Sequence, residues 1–167
     1  MWNGNVKIES EISIPDLHNI IANQLFIIPY SHIIKFRLMT IFTRIIKGEI
    51  PSYRIAEDDY FLAFLDINPL REGHTLVIPK TETDHFFDLE ENYLSRILVF
   101  AKPIAKAIEK SFPCNRCGMS VIGLEVPHAH LHLIPISSVS DMNFKNPKLK
   151  LSPEEFRNVQ EKLIANL

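Results

Sequence analysis

Residues 128–134 read HAHLHLI, three histidines at alternate positions with aliphatic residues between them. Few patterns constrain a fold more tightly. Side chains of a strand alternate faces, so His128, His130 and His132 share one face, with neighbours roughly 6.6–6.8 Å apart. Ala129, Leu131 and Leu133 point the opposite way, into a core. Such a strand must be packed with apolar matter on one side and carry a row of imidazoles on the other.

The segments around it give the architecture. The runs FLAFLDI and HTLVIPK, joined by NPLREG with its Pro69 and Gly73, read as two short antiparallel strands. Leu94, Ile97, Leu98, Ala101, Ile104, Ala105 and Ile108 recur at helical spacing and predict a helix over 89–112. Asp88 followed by Glu91 reads as its capping box, and Pro103 inside it should kink it or remove one hydrogen bond. MTIFTRIIKGEIPSYRI reads as a short amphipathic helix closed by Gly48 and Pro51. After PCNRCG, MSVIGLEV and HAHLHLIPI read as two further strands. In the tail, Ser152 stands at an N-cap, Pro153 at the first helical position and Glu155 three after the cap. The order predicts an α+β fold with an antiparallel sheet rather than alternating βαβ units. Residues 1–38 have no clear period and read as an extension outside the domain, with Met39 as a true or alternative start. The domain is placed at 39–145 and a helical tail at 146–167.

Composition narrows the function classes. The chain has 167 residues, 46% apolar and 23% charged, enough for one globular domain with a real core. A formal net charge of −2 gives no global basic field to attract nucleic acid. The most apolar early stretch, IIANQLFIIPYSHIIKF, is interrupted by polar residues and makes a poor membrane span, and no secretory signal is recognisable. Two cysteines, Cys114 and Cys117, are too few for a disulfide scaffold and fit a reducing cytoplasm. Their C-x-x-C spacing alone does not specify zinc; they read as loop or buried thiols.

Three chemistries fit the histidine row. The imidazoles could simply face solvent. A pair could bind a metal, but about 13 Å separates His128 from His132 in a strand, so the remaining ligands would come from elsewhere, such as His74 or Asp66. Or the row could act on a phosphate ester, since a neutral imidazole is a good nucleophile near pH 7 and its neighbours can donate to phosphate oxygens.

HAHLHLI also resembles the signature of the histidine triad hydrolases and transferases, three histidines separated by apolar residues. IFTRIIKGEIPS, EDDYFLAFLDINP and GHTLVIPK resemble that family's successive blocks, in the family's order, over Met39 to Ile136. The likeness is to the Hint-like branch, including bacterial members. It implies a five-stranded antiparallel sheet, a long helix and a C-terminal helix, in a homodimer whose sheets join. It implies a nucleotide hydrolase or phosphoramidase that releases a nucleoside monophosphate, from a purine nucleotide, through a nucleotidyl-histidine. His130 would be the nucleophile, with His128 and His132 orienting it and contacting phosphate or leaving group. His74 would face the triad. Asp66 would accept from the ribose hydroxyls, and Ile41, Phe42, Ile45, Phe64 and Ile67 would hold the base. No metal would enter the chemical step, though Mg²⁺ would accompany a polyphosphate substrate. A Fhit-like dinucleoside polyphosphate hydrolase, or a nucleotide-binding module with little turnover, are the alternatives.

The departures from the pattern are specific. Gly123-Leu124-Glu125 stands where many relatives carry Gly-Gln-Ser or Gly-Gln-Glu, so an amide is missing at Leu124. Strand parity puts Glu125 on the face away from the histidines. Thr40 and Thr43 occupy the places where some relatives have a zinc-binding cysteine pair. KNPKLKLS brings positive charge after the triad, as a solvated loop or near the substrate.

Overall fold

In the computed structural model, residues 39–167 are described; the extension expected at 1–38, with its apolar stretch, lies outside them. The elements in chain order are helix α1 (Ile41–Ile46), strands β1 (Arg54–Glu57), β2 (Phe61–Leu65) and β3 (Thr75–Pro79), helix α2 (Glu91–Ser111), strands β4 (Arg116–Ser120) and β5 (Leu131–Ile136), and helix α3 (Pro153–Ile164). Short 3₁₀ turns at Phe86–Asp88 and Val139–Met142 lie before α2 and after β5. The five strands form one antiparallel sheet in the order β1-β2-β3-β5-β4, an α+β architecture as expected.

β2 pairs in full register with β3, from Phe61 opposite Pro79 to Leu65 opposite Thr75. All ten of their residues are buried, so both faces of this hairpin are covered. Phe61, Ala63, Leu65, Val77, Leu131 and Leu133 face α2 and meet Ile97, Ala101, Ile104 and Ile108. Leu62, Phe64, Leu76 and Ile78 face the other way and meet Phe42 and Ile45 of α1. Gly73, at φ +90, turns the chain into β3 where any Cβ would stand 2.4 Å from the Phe112 ring.

The tail helix folds onto the α2 face. Ser152 and Glu155 form the reciprocal capping box and Pro153 opens the helix, as the sequence predicts. Phe156, Val159 and Leu163 join the main core, Tyr53 stacks on Phe156 at 4.8 Å, and Gln160 donates to the Arg54 carbonyl at 2.7 Å.

Three local expectations are corrected. Asp88 does not cap α2: it ends a 3₁₀ turn, and α2 starts after Glu90, whose side chain makes no capping bond. The buried stripe of α2 runs through Ala107 and Ser111, whereas Leu98 is half exposed, on a flank that overhangs β4 rather than the sheet centre. MSVIGLEV is not a strand. β4 begins earlier, inside PCNRCG, and ends at Ser120, after which residues 121–130 form a loop with Gly123 at φ +67. β1 has no counterpart in the sequence pattern, because as an edge strand with a bulge it buries only Ile55. Pro103 lies within α2 on its exposed side, so its missing hydrogen bond falls at the solvent face.

Among the described residues, no helix is long and apolar enough to cross a membrane.

Candidate active site

His132 lies in β5 directly opposite Leu76 of β3, on the sheet face away from α2. His130 and His128 precede the strand in the loop that carries the chain into it. All three are buried, with His74 behind them. The His130 and His132 rings lie 4.9 Å apart and edge-to-face.

Hydrogen bonds fix the protons of the inner pair. The Leu70 amide donates to His74 Nδ1 at 3.2 Å, so His74 carries its proton on Nε2. That Nε2–H donates to His132 Nδ1 at 2.9 Å, which leaves His132 with its proton on Nε2. Burial, reinforced by the Lys148 and His130 charges, brings the His74 pKa down to about 3. Burial, with the neighbouring His74 and His130 charges, does the same for His132, also to about 3. Both rings are therefore neutral near pH 7. Asp66 Oδ2 is 3.6 Å from His74 Nδ1, too far for a hydrogen bond, and Asp66 Oδ1 accepts from the Asn68 amide at 2.8 Å.

His130 is oriented the opposite way. Its Nδ1–H donates to the His128 carbonyl at 2.6 Å, so Nε2 is a bare lone pair. The site thus offers two unlike nitrogens side by side, a lone pair on His130 and a donor on His132. His128, expected to contact phosphate, is set back from the open side of the site. It is fully buried, its Nε2–H donates to the Pro79 carbonyl at 2.9 Å, and its Nδ1 lies 3.1 Å from Thr40 Oγ1. His74 is likewise buried behind His132.

His130 and His132 open onto a cavity of about 200 Å³. Ile41, Phe42, Ile45, Phe64, Asp66 and Ile67 all line it, with Ile50, Pro51 and Leu76 completing the apolar wall. The sequence marks the first six by resemblance; Ile50, Pro51 and Leu76 carry no motif of their own. The Phe42 ring stands edge-on to both His128 and His130, at 5.8 and 5.3 Å. A second lobe of about 240 Å³ shares Asp66, His130 and His132 and adds Phe144, Lys145 and Lys148. Glu125 lines both lobes, because residues 121–128 are a loop and strand parity does not apply to them.

Among the described residues, the one group of three ligand-type side chains close enough to share a metal ion is Asp66, His74 and His132. Its two ring nitrogens are already joined by a hydrogen bond. The cysteines stand apart: Cys114 and Cys117 are free thiols, and burial pushes Cys117 up to about 12, which makes it a poor nucleophile and metal ligand.

A family model described as HIT domain matches residues 47–139. An uncharacterised HIT-like protein of Borreliella burgdorferi is 37% identical over 135 residues, covering 76% of this chain and 97% of its own. The adenosine 5'-monophosphoramidase of Schizosaccharomyces pombe is 33% identical over 129 residues, 76% of this chain and 97% of its own. Among solved structures, a Hit-like protein from Bartonella henselae superposes with a TM-score of 0.66 at 32% identity, over 77% of this chain and 96% of that one.

Proposed function

This chain belongs to the histidine triad family, and on that premise we propose that it is a nucleotide hydrolase that cleaves nucleoside 5'-phosphoramidates at the α-phosphorus. One observation carries the proposal, the pairing of a bare His130 Nε2 with a protonated His132 Nε2 at the same cavity. His130 Nε2 attacks phosphorus, and the P–N bond to the leaving amine breaks with its electron pair going to that amine, which takes a proton from solvent. His132 Nε2–H donates to the phosphate oxygens as charge builds on them. The attack leaves positive charge on the His130 ring, which the short bond from Nδ1–H to the His128 carbonyl stabilises. Water then attacks phosphorus and loses a proton to solvent, the P–Nε2 bond breaks with its electron pair returning to His130, and the nucleoside monophosphate leaves.

The apolar walls of the first lobe suit a flat base, a purine by size, and Asp66 at its edge suits two adjacent ribose hydroxyls. The phosphoramidase name of the yeast relative supports the leaving group. Lys145 and Lys148 on the second lobe favour a second reading, a dinucleoside polyphosphate with its further phosphates in that lobe and Mg²⁺ as their companion. As a working form we propose a homodimer. β4 is a sheet edge, and exposed Leu98, Val99, Met119, Val121 and Ile122 surround it with apolar surface that a second copy would cover. A cytoplasmic setting suits the free thiols.

The test is release of AMP from an AMP phosphoramidate in EDTA, for wild type and His130→Ala. Turnover by wild type, with a loss on the order of 10⁴-fold or more in the variant, supports nucleophilic catalysis by side chains alone. Equal rates would sink it, and AMP binding without turnover of phosphoramidate or polyphosphate would mark a binding module.

A further inference from the structure

Behind the nucleophile lies a chain of hydrogen bonds that ends on a carboxylate. Thr43 Oγ1 donates to Glu82 Oε2 at 2.6 Å. Thr40 Oγ1 and Thr43 Oγ1 are 3.0 Å apart, and Thr40 Oγ1 is 3.1 Å from His128 Nδ1. The His128 carbonyl in turn accepts from His130 Nδ1 at 2.6 Å. Thr40 is also the N-cap of α1, accepting from the Thr43 amide at 3.1 Å. The end of β3 and the segment after it close the circuit on the other side: the Pro79 carbonyl accepts from His128 Nε2 at 2.9 Å and the Thr83 carbonyl accepts from the Ala129 amide at 2.6 Å. The backbone that receives the nucleophile's proton is thus gripped from both sides, and Glu82 sits on the gripping segment itself.

We infer that Glu82 is a positioning residue for His130, acting through Thr43, Thr40 and His128. Proton counting gives the chain a direction. A carboxylate only accepts, so the Thr43 proton goes to Glu82. The contact between the two hydroxyls then needs the Thr40 proton. With every contact in the chain a hydrogen bond, His128 Nδ1 donates to Thr40 as Nε2 donates to Pro79, and the ring carries a charge that Glu82 balances. Glu82 therefore draws protons toward itself along the whole chain, and His128 feels its charge through two hydroxyls. The substitution Glu82→Gln reverses this. The new amide can donate to Thr43, Thr43 to Thr40, and Thr40 to a bare His128 Nδ1. The carbonyl that stabilises charge on His130 belongs to the residue whose ring is switched.

The inference rests on His130 as nucleophile for its kinetic arm alone; the spectroscopic arm is independent of any substrate. Ring ¹⁵N signals of His128 would be recorded for the whole chain and for Glu82→Gln, beside turnover of an AMP phosphoramidate by Thr43→Val and Thr43→Ser. The expected result is a shift of His128 Nδ1 in Glu82→Gln toward the unprotonated range, with His74 and His132 unmoved. In Thr43→Val, kcat falls roughly three- to tenfold, the worth of one lost hydrogen bond, with KM unchanged, and Thr43→Ser restores it. Unmoved His128 signals in Glu82→Gln overturn the inference whatever the rates do. A Thr43→Val enzyme with wild-type kcat overturns it as well. If wild type turns over no nucleotide, the function fails and the ring signals alone decide the relay.

Discussion

The two faces of the sheet are both buried and are built for opposite ends. The face under α2 and α3 is filled by Phe61, Leu131, Leu133, Ile97, Ile104 and Leu163. The other face is roofed by six-residue α1 and a loop, and its apolar residues stop short of covering the histidines. A closed face supplies stability; a face closed only at its rim supplies a buried site in which His74 and His132 stay neutral. The same strands serve both, with odd and even residues assigned to different tasks.

Truncation should separate the faces. Ile104→Ala, in the filled face, is expected to cost roughly 2–5 kcal/mol in urea unfolding, with the activity per folded molecule retained. Leu76→Ala, on the wall of the open cavity, widens a space that already exists and is expected to cost about 2 kcal/mol, near the low end, while weakening nucleotide binding. Equal stability losses for the two, with equal activities, would erase the distinction.

The neutral histidines give the open face a pH signature. Their folded pKa values, about 3, lie below the ordinary 6.5, so the unfolded chain binds more protons between those values. Stability is then complete above pH 6.5 and declines as pH falls toward 3. The slope approaches about 1.4 kcal/mol per pH unit for each ring held neutral. Unfolding series across the window from neutral pH down to about 5 would show it, and His74→Gln should flatten it. The smallest effect belongs to the filled face's outermost element: Ser152→Ala removes the α3 cap and should cost about 1 kcal/mol without altering the pH slope.

Legibility follows the same divide. The tail cap is readable because Ser152, Pro153 and Glu155 act on neighbouring backbone, and the β2–β3 hairpin because both strands are apolar runs bounded by a Pro–Gly turn. The helix α2 is readable in period but shifted at its start, since a 3₁₀ turn competes for Asp88. β1 is silent because an edge strand with one buried residue leaves no pattern. In the site, the row and its partner His74 stand out as chemistry placed among apolar residues. The orientation of each ring does not, because it depends on the Leu70 amide, the Pro79 carbonyl and Thr40, groups far apart in the chain and ordinary in type. Glu125 is misplaced by parity for a related reason, since nothing local says that the strand ends at Ser120.

The pairing of His132 with Leu76 on one side and Ser120 on the other has a consequence for assembly. A slip of one residue in β5 would exchange the two sides of the strand. Leu131 and Leu133 would then face the cavity, and His132 would be driven under α2, among the apolar residues of the main core. The misaligned chain would lose its core and its chemistry in one stroke. Correct threading and assembly of the histidine site are thus a single event, and any molecule stable enough to persist already has its histidines in place.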